Sequence, residues 1–123
     1  MGKTVLVVDD SVSMRQIVSF TLTGAGYQVV EAEDGKEALE KLNGGAKPNL
    51  IITDLNMPNI DGISLIKAVR EMAAHKVTPI LMLTTESSED KKKEGKSVGA
   101  TGWVVKPFNP DQMLITIKKV MAD

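Results

Sequence analysis

Short apolar runs punctuate the chain at Val5–Val8, Val29–Val30, Leu50–Ile52, Pro79–Leu83 and Trp103–Val105. Most are continuous and rich in Val, Ile and Leu instead of alternating with polar residues, the pattern of strands buried on both faces of a parallel sheet. Between them, apolar residues recur at helical spacing. Met14, Ile17, Val18, Leu22 and Ala25 predict a first helix; Ala38, Leu39 and Leu42 a second; Leu65, Ile66, Val69, Met72 and Ala73 a third. Met113, Leu114, Ile117, Val120 and Met121 predict a fifth. The fourth segment, SSEDKKKEGKSV, is the weakest, with Gly95 inside it and Val98 its only large apolar residue. It still reads as a helix capped by Ser87 or Ser88, with Glu89 or Asp90 in the first turn. Breakers fall between the segments: Gly24 and Gly26, Gly44 and Gly45, Pro58 and Gly62, Pro79, and Pro107 with Pro110. The outcome is five β-α units. Right-handed crossovers would place helices on both faces of a five-stranded parallel sheet, a three-layer α/β architecture.

Composition narrows the functional classes. The 123 residues suit one domain. A net charge of −1 gives no global field to recruit nucleic acid or a membrane surface. With no cysteine, disulfides and zinc–thiolate sites are excluded, which fits a reducing compartment. No stretch approaches the roughly 20 apolar residues of a membrane span. The N-terminal run, ended by Asp9, is too short for a secretory signal. A cytoplasmic location is the expectation.

In an open parallel sheet, ligands bind beyond the carboxyl ends of the strands. Those ends carry Asp9 and Asp10 after the first strand, Asp54 at the third, Thr84 at the fourth, and Lys106 followed by Pro107 at the fifth. Taken singly, each has an ordinary explanation: Asp10 or Ser11 can cap a helix, a threonine can end a strand, and a lysine can be a solvated charge. Together they form a cluster. Two like charges about 4 Å apart repel by about 4 kcal/mol at an effective dielectric near 20. Three carboxylates therefore need more than one lysine as counter-charge. Hard oxygen donors, without cysteine or a nearby histidine, point to Mg²⁺. The lone histidine, His75, is expected in an exposed loop before the fourth strand, away from this edge.

The segments VLVVDDS, ITDLNMPNIDG, LMLTTE and GWVVKPF resemble the receiver domain of two-component response regulators, over Thr4 to Val120. Within that family the chain is most similar to the CheY-type chemotaxis regulators. The resemblance implies a flavodoxin-like, doubly wound (βα)5 fold with strand order 2-1-3-4-5, and residues 1–123 as a single receiver domain without an output domain. It implies Asp54 as phosphoacceptor, and Mg²⁺ bound by Asp10, Asp54 and the backbone carbonyl of Asn56. Asp9 would position the ion through water. Thr84 would donate a hydrogen bond to the phosphoryl group, Lys106 would pair with a phosphoryl oxygen, and Trp103 would be the switch aromatic. The implied phosphoryl donor is a CheA-like histidine kinase. The implied target is a protein such as the flagellar motor switch protein, a phosphatase could be a further partner, and the chain would be monomeric. It would be no enzyme beyond its own phosphorylation and dephosphorylation.

Output would then be a changed surface. Thr84, drawn to the phosphoryl group, would vacate space into which Trp103 turns, reshaping the face of the fourth helix, fifth strand and fifth helix. On the fourth helix, Lys91, Lys92, Lys93 and Lys96 predict a basic surface for an acidic partner, and Gly95, at a cost of about 1 kcal/mol, predicts a mobile helix. Asn56, Thr85 and Glu86 flank the site and would bear on phosphoryl lifetime. Three rivals remain. A haloacid-dehalogenase-like phosphatase would need Asp-x-Asp where this chain has Asp9-Asp10. A nucleotide-binding module would need a glycine-rich loop where this chain has DDSVS. A degenerate receiver would fold but ignore Mg²⁺. Phosphorelay or other non-chemotaxis signalling is the alternative role within the family.

Overall fold

A computed structural model describes residues 3–84 and 89–121. The order of elements is β1 (Thr4–Val8), α1 (Val12–Gly24), β2 (Gln28–Ala32), α2 (Gly35–Asn43), β3 (Leu50–Asp54), α3 (Gly62–Arg70), β4 (Ile80–Thr84), α4 (Glu89–Ser97), β5 (Gly102–Val105) and α5 (Pro110–Val120). A 3₁₀ turn at Ala73–His75 separates α3 from β4. All strand pairs are parallel, in the order β2-β1-β3-β4-β5. Thr85, Glu86 and the expected caps Ser87 and Ser88 lie outside the described residues.

Burial on both faces explains the continuous apolar runs. In β1, Leu6 and Val8 join a core with Ala38 and Leu42 of α2 and Leu65, Ile66 and Val69 of α3. Val5 and Val7 point the other way, into a core with Val18 and Leu22 of α1 and Met113 and Ile117 of α5. The period-two alternation thus feeds two cores at once. The edge strands differ. Val29 and Val30 of β2 and Trp103 and Val104 of β5 are only half-buried, so β2 carries a thin apolar signal.

Four helix starts share one device. Ser11, Asp34, Asp61 and Asn109 sit at the N-caps, and each side chain accepts from the backbone N–H three residues on. Ser11 rather than Asp10 therefore caps α1. Two stripes need correction. Ile17 is half exposed because Met14, Val18 and Leu22, at i, i+4 and i+8, already form the face α1 turns to the core. The third helix stops at Arg70: Met72 packs on the core beyond its end, while Ala73 is exposed in the 3₁₀ turn.

His75 also departs from expectation. It is buried, with its Nδ1 3.2 Å from Thr78 Oγ1. The reason is Arg70, whose guanidinium donates to the carbonyls of His75, Thr78 and Gly99 and draws these segments together. Burial, followed by the positive charges of Lys47 and Arg70, lowers the His75 pKa. Among the described residues, no helix is long and apolar enough to cross a membrane.

Candidate functional site

The site is assembled by strand register. Val8 of β1 lies opposite Thr53 of β3, so the next residues, Asp9 and Asp54, come level on neighbouring strands. Alternation turns both toward the face that carries α1 and α5. Thr84 pairs with Val105, and the Lys106 N–H donates to the Thr84 carbonyl at 2.7 Å, which launches Lys106 back across the strand ends. Its ammonium lies 3.3 Å from Asp9 Oδ2 and 3.3 Å from Asp54 Oδ1.

Carboxylate oxygens of Asp9, Asp10 and Asp54 lie within 4.8 Å of one another, the only such acidic trio among the described residues. Their environments differ. Asp9 is 0% exposed and Asp54 7%, whereas Asp10 faces solvent. Asp9 Oδ1 accepts from Ser11 N–H at 2.9 Å, and Asp54 Oδ1 from Leu55 N–H at 2.8 Å. Burial, and then repulsion from Asp9, raises the Asp54 pKa; Lys106 and the Leu55 N–H pull it down but are outweighed. The pocket is short of positive charge, and its donors are all hard oxygens, so the residues present fit a small divalent cation.

Of the other expected residues, Thr84 is buried at the end of β4, and Asn56 is exposed in the loop after β3. Trp103 lies away from the carboxylates. It pairs with Met82, two residues before Thr84, and so shares the sheet face of Thr84. The Lys92 ammonium sits 4.8 Å from the centre of its ring. Trp103 and Lys92, with Lys93 and Lys96, line a groove of about 450 Å³ along α4. Three of the four lysines thus share a groove with the aromatic, while Lys91 lies 3.9 Å from Glu94.

Two contributors carried little sequence signal. Gly62 stands out in the sequence only as a loop breaker, yet it packs directly beneath the site: a Cβ there would come 2.3 Å from the Asp54 carbonyl oxygen. Its N–H closes the loop on the Leu55 carbonyl at 2.9 Å. Arg15, one polar residue on an amphipathic helix, donates to the Asp9 carbonyl at 2.6 Å.

The whole of this arrangement falls within residues 5–118, which match the family model described as the response regulator receiver domain. The chain belongs to that family. Among receivers with known roles, it is 42% identical over 118 residues to the chemotaxis protein CheY1 of Helicobacter pylori, covering 95% of each chain. It is 38% identical over 121 residues to the alkaline phosphatase synthesis transcriptional regulatory protein PhoP of Bacillus subtilis, covering 98% of this chain but 49% of that longer protein. Its receiver fold superposes on the chemotaxis response regulator CheY4 of Vibrio cholerae with a TM-score of 0.93 at 56% identity, covering 98% of this chain and 99% of the other. The receiver is therefore CheY-like, and its strand order is the one the resemblance implied.

Proposed function

We propose that this receiver is a phosphorylation switch in which Asp54 takes a phosphoryl group from a phosphohistidine on a CheA-like histidine kinase, in a Mg²⁺-dependent step. The observation that carries the reading is one ammonium, Lys106 Nζ, 3.3 Å from each of two buried carboxylates in a pocket that still lacks positive charge. Asp10, Asp54 and the backbone carbonyl of Asn56 would hold the ion, with Asp9 orienting its water shell. When bound, Mg²⁺ supplies the missing positive charge and screens the phosphoryl oxygens.

The chain's own residues do the rest. Asp54 Oδ1 is engaged by the Leu55 N–H and Lys106, which leaves Oδ2 to attack. A bond forms from Oδ2 to phosphorus as the phosphorus–nitrogen bond breaks, and the electron pair stays on the donor imidazole. Lys106 needs only a short shift to reach a phosphoryl oxygen, and the Thr84 hydroxyl donates to another. Hydrolysis by water returns the Asp54 carboxylate and inorganic phosphate. The chemistry is confined to the protein's own phosphorylation and dephosphorylation.

The signal is read at α4, β5 and α5. Thr84 and Trp103 share a sheet face, so displacement of Thr84 toward the phosphoryl group opens space next to the indole. The target is a motility protein such as the flagellar motor switch protein, in line with the chemotaxis relatives, and a phosphatase resets the switch.

The lone tryptophan provides the test. Trp103 fluorescence should change on adding Mg²⁺ and again on adding beryllofluoride, a phosphoryl mimic. Acetyl phosphate with Mg²⁺ should add one phosphoryl mass to the intact protein. Asp54→Asn should abolish the second fluorescence step and the mass gain; persistence of either sinks the assignment. Turnover of added phosphate esters would favour a phosphatase, and capture of a histidine phosphotransfer protein in place of a motility protein would favour a phosphorelay role.

A further inference from the structure

We infer that Arg15 is a positioning residue for the cation site: its guanidinium fixes the Asp9–Asp10 peptide so that the exposed Asp10 carboxylate converges on Asp9 and Asp54. This rests on the phosphorylation reading, because it assigns the acidic trio to a divalent cation.

Asp9 is held at four points, one of them the Lys106 ammonium 3.3 Å from its Oδ2. Its N–H donates to the Ala32 carbonyl at 3.1 Å, and its Oδ1 accepts from Ser11 N–H at 2.9 Å. Its carbonyl accepts from Arg15 Nη1 at 2.6 Å. The contacts to the Asp9 N–H and carboxylate do not fix the peptide plane that leads to Asp10; the Arg15 contact does, because the Asp9 carbonyl oxygen lies in that plane. Asp10 itself is exposed, yet one of its oxygens lies within 4.8 Å of oxygens of both buried aspartates. Repulsion from two buried carboxylates pushes an exposed one toward water, and a fixed peptide plane limits how far its backbone can follow.

Arg15 is in turn anchored. Its Nε lies 3.1 Å from Glu31 Oε1, and its side chain is 14% exposed. Ser19 Oγ donates to the other Glu31 oxygen at 3.2 Å. The planar fork of a guanidinium sets Nε and Nη1 at a fixed angle, so holding Nε on Glu31 aims Nη1 at the Asp9 carbonyl. A lysine would keep the charge but present a single nitrogen, unable to hold both partners with that geometry. β2 and α1 thereby brace the turn between Asp9 and Asp10.

Positioning and simple charge make opposite demands. Removing a positive charge beside a cation site should, by Coulomb's law alone, tighten Mg²⁺ binding. Losing the brace should weaken it, by about tenfold if Arg15 behaves like other groups that orient metal ligands.

The experiment titrates Mg²⁺ by isothermal calorimetry into wild type, Arg15→Ala, Arg15→Lys and Glu31→Gln, and follows the Asp10 and Ser11 amides by NMR in EDTA. We expect weaker Mg²⁺ binding in all three variants, Arg15→Lys included, together with shifted or faster-exchanging Asp10 and Ser11 amides before metal is added. If Arg15→Ala fails to fold, Arg15→Lys decides, because it keeps the charge and loses the fork; Glu31→Gln removes a negative charge, so its weaker binding supports the inference only together with shifted turn amides. Equal or tighter Mg²⁺ binding overturns the inference, as does weakened binding with undisturbed turn amides. If wild type itself binds no Mg²⁺, the phosphorylation reading fails and this inference falls with it. A wild-type response that the variants share fails the inference alone.

Discussion

At the scale of single residues, the buried carboxylate of Asp54 sets function against stability. Burial and Asp9 raise its folded pKa above the ordinary value of 3.8. The folded state then binds the Asp54 proton more tightly than the unfolded state, so the ionised carboxylate costs stability at neutral pH. Asn in its place keeps an oxygen for the Leu55 N–H and removes the charge. Asp54→Asn is therefore expected to melt at a higher temperature than wild type in EDTA, and to gain less from added Mg²⁺, since binding to the native state stabilises in proportion to affinity. Thermal melts of both proteins with and without Mg²⁺ check this; a lower melting temperature for the variant in EDTA would contradict it. The acids at the strand ends were legible because any parallel sheet gathers such ends. Which of them are buried was not, since Asp9 and Asp10 are adjacent and only the phase of β1 turns Asp9 inward and leaves Asp10 in solvent.

At the scale of elements, two glycines, one read as a loop breaker and one as a helix-weakening interior residue, are also packing contacts. Gly95, the interior glycine of α4, is buried against Met82. A Cβ there would lie 2.1 Å from Met82 Sδ and 2.4 Å from its Cε. Gly95→Ala gains helix propensity of about 1 kcal/mol but overpacks, which typically costs about 1–3 kcal/mol. The net should be mild, because the obstacle is the far end of a flexible side chain. At Gly62 the obstacles are backbone: the Asp54 carbonyl oxygen at 2.3 Å and Leu55 Cα at 2.8 Å. These cannot yield without moving the segment that carries Asp54. Gly62→Ala should cost about 3 kcal/mol, near the upper end for overpacking, and should also disturb the Mg²⁺ response. Chemical denaturation of both variants tests the order; Gly95→Ala as costly as Gly62→Ala would refute it. Sequence periodicity could not separate the two sites, because a glycine looks alike whether it marks a bend or a close approach.

At the scale of the whole molecule, two titrating groups bend the pH dependence of stability in opposite directions. Asp54 lies at the carboxyl ends of the strands, while His75 lies in the turn that leads into the start of β4. His75 is the only histidine, so no other imidazole competes for the signal near pH 6. Its folded pKa lies below the ordinary 6.5. Through the window from 6.5 downward, the unfolded chain takes up a proton that the folded protein resists, so stability falls as pH falls. Asp54 does the reverse: with its folded pKa above 3.8, its contribution is fully present below 3.8 and is lost as pH rises through the folded value. In EDTA the two effects have opposite signs on acidification. Asp54→Asn removes the opposing one and leaves the His75 loss of stability on acidification, which begins at about pH 6.5, the unfolded His75 value. Adding His75→Asn, which keeps a polar side chain near Thr78, should flatten that slope. Denaturation midpoints of the single and double variants, measured between neutral and mildly acid pH, decide the matter. A slope unchanged by His75→Asn in the Asp54→Asn background would mean that the imidazole titrates alike in the folded and unfolded chain. Arg70, which holds His75, Thr78 and Gly99 by their carbonyls, would then leave enough water at the ring for ordinary protonation.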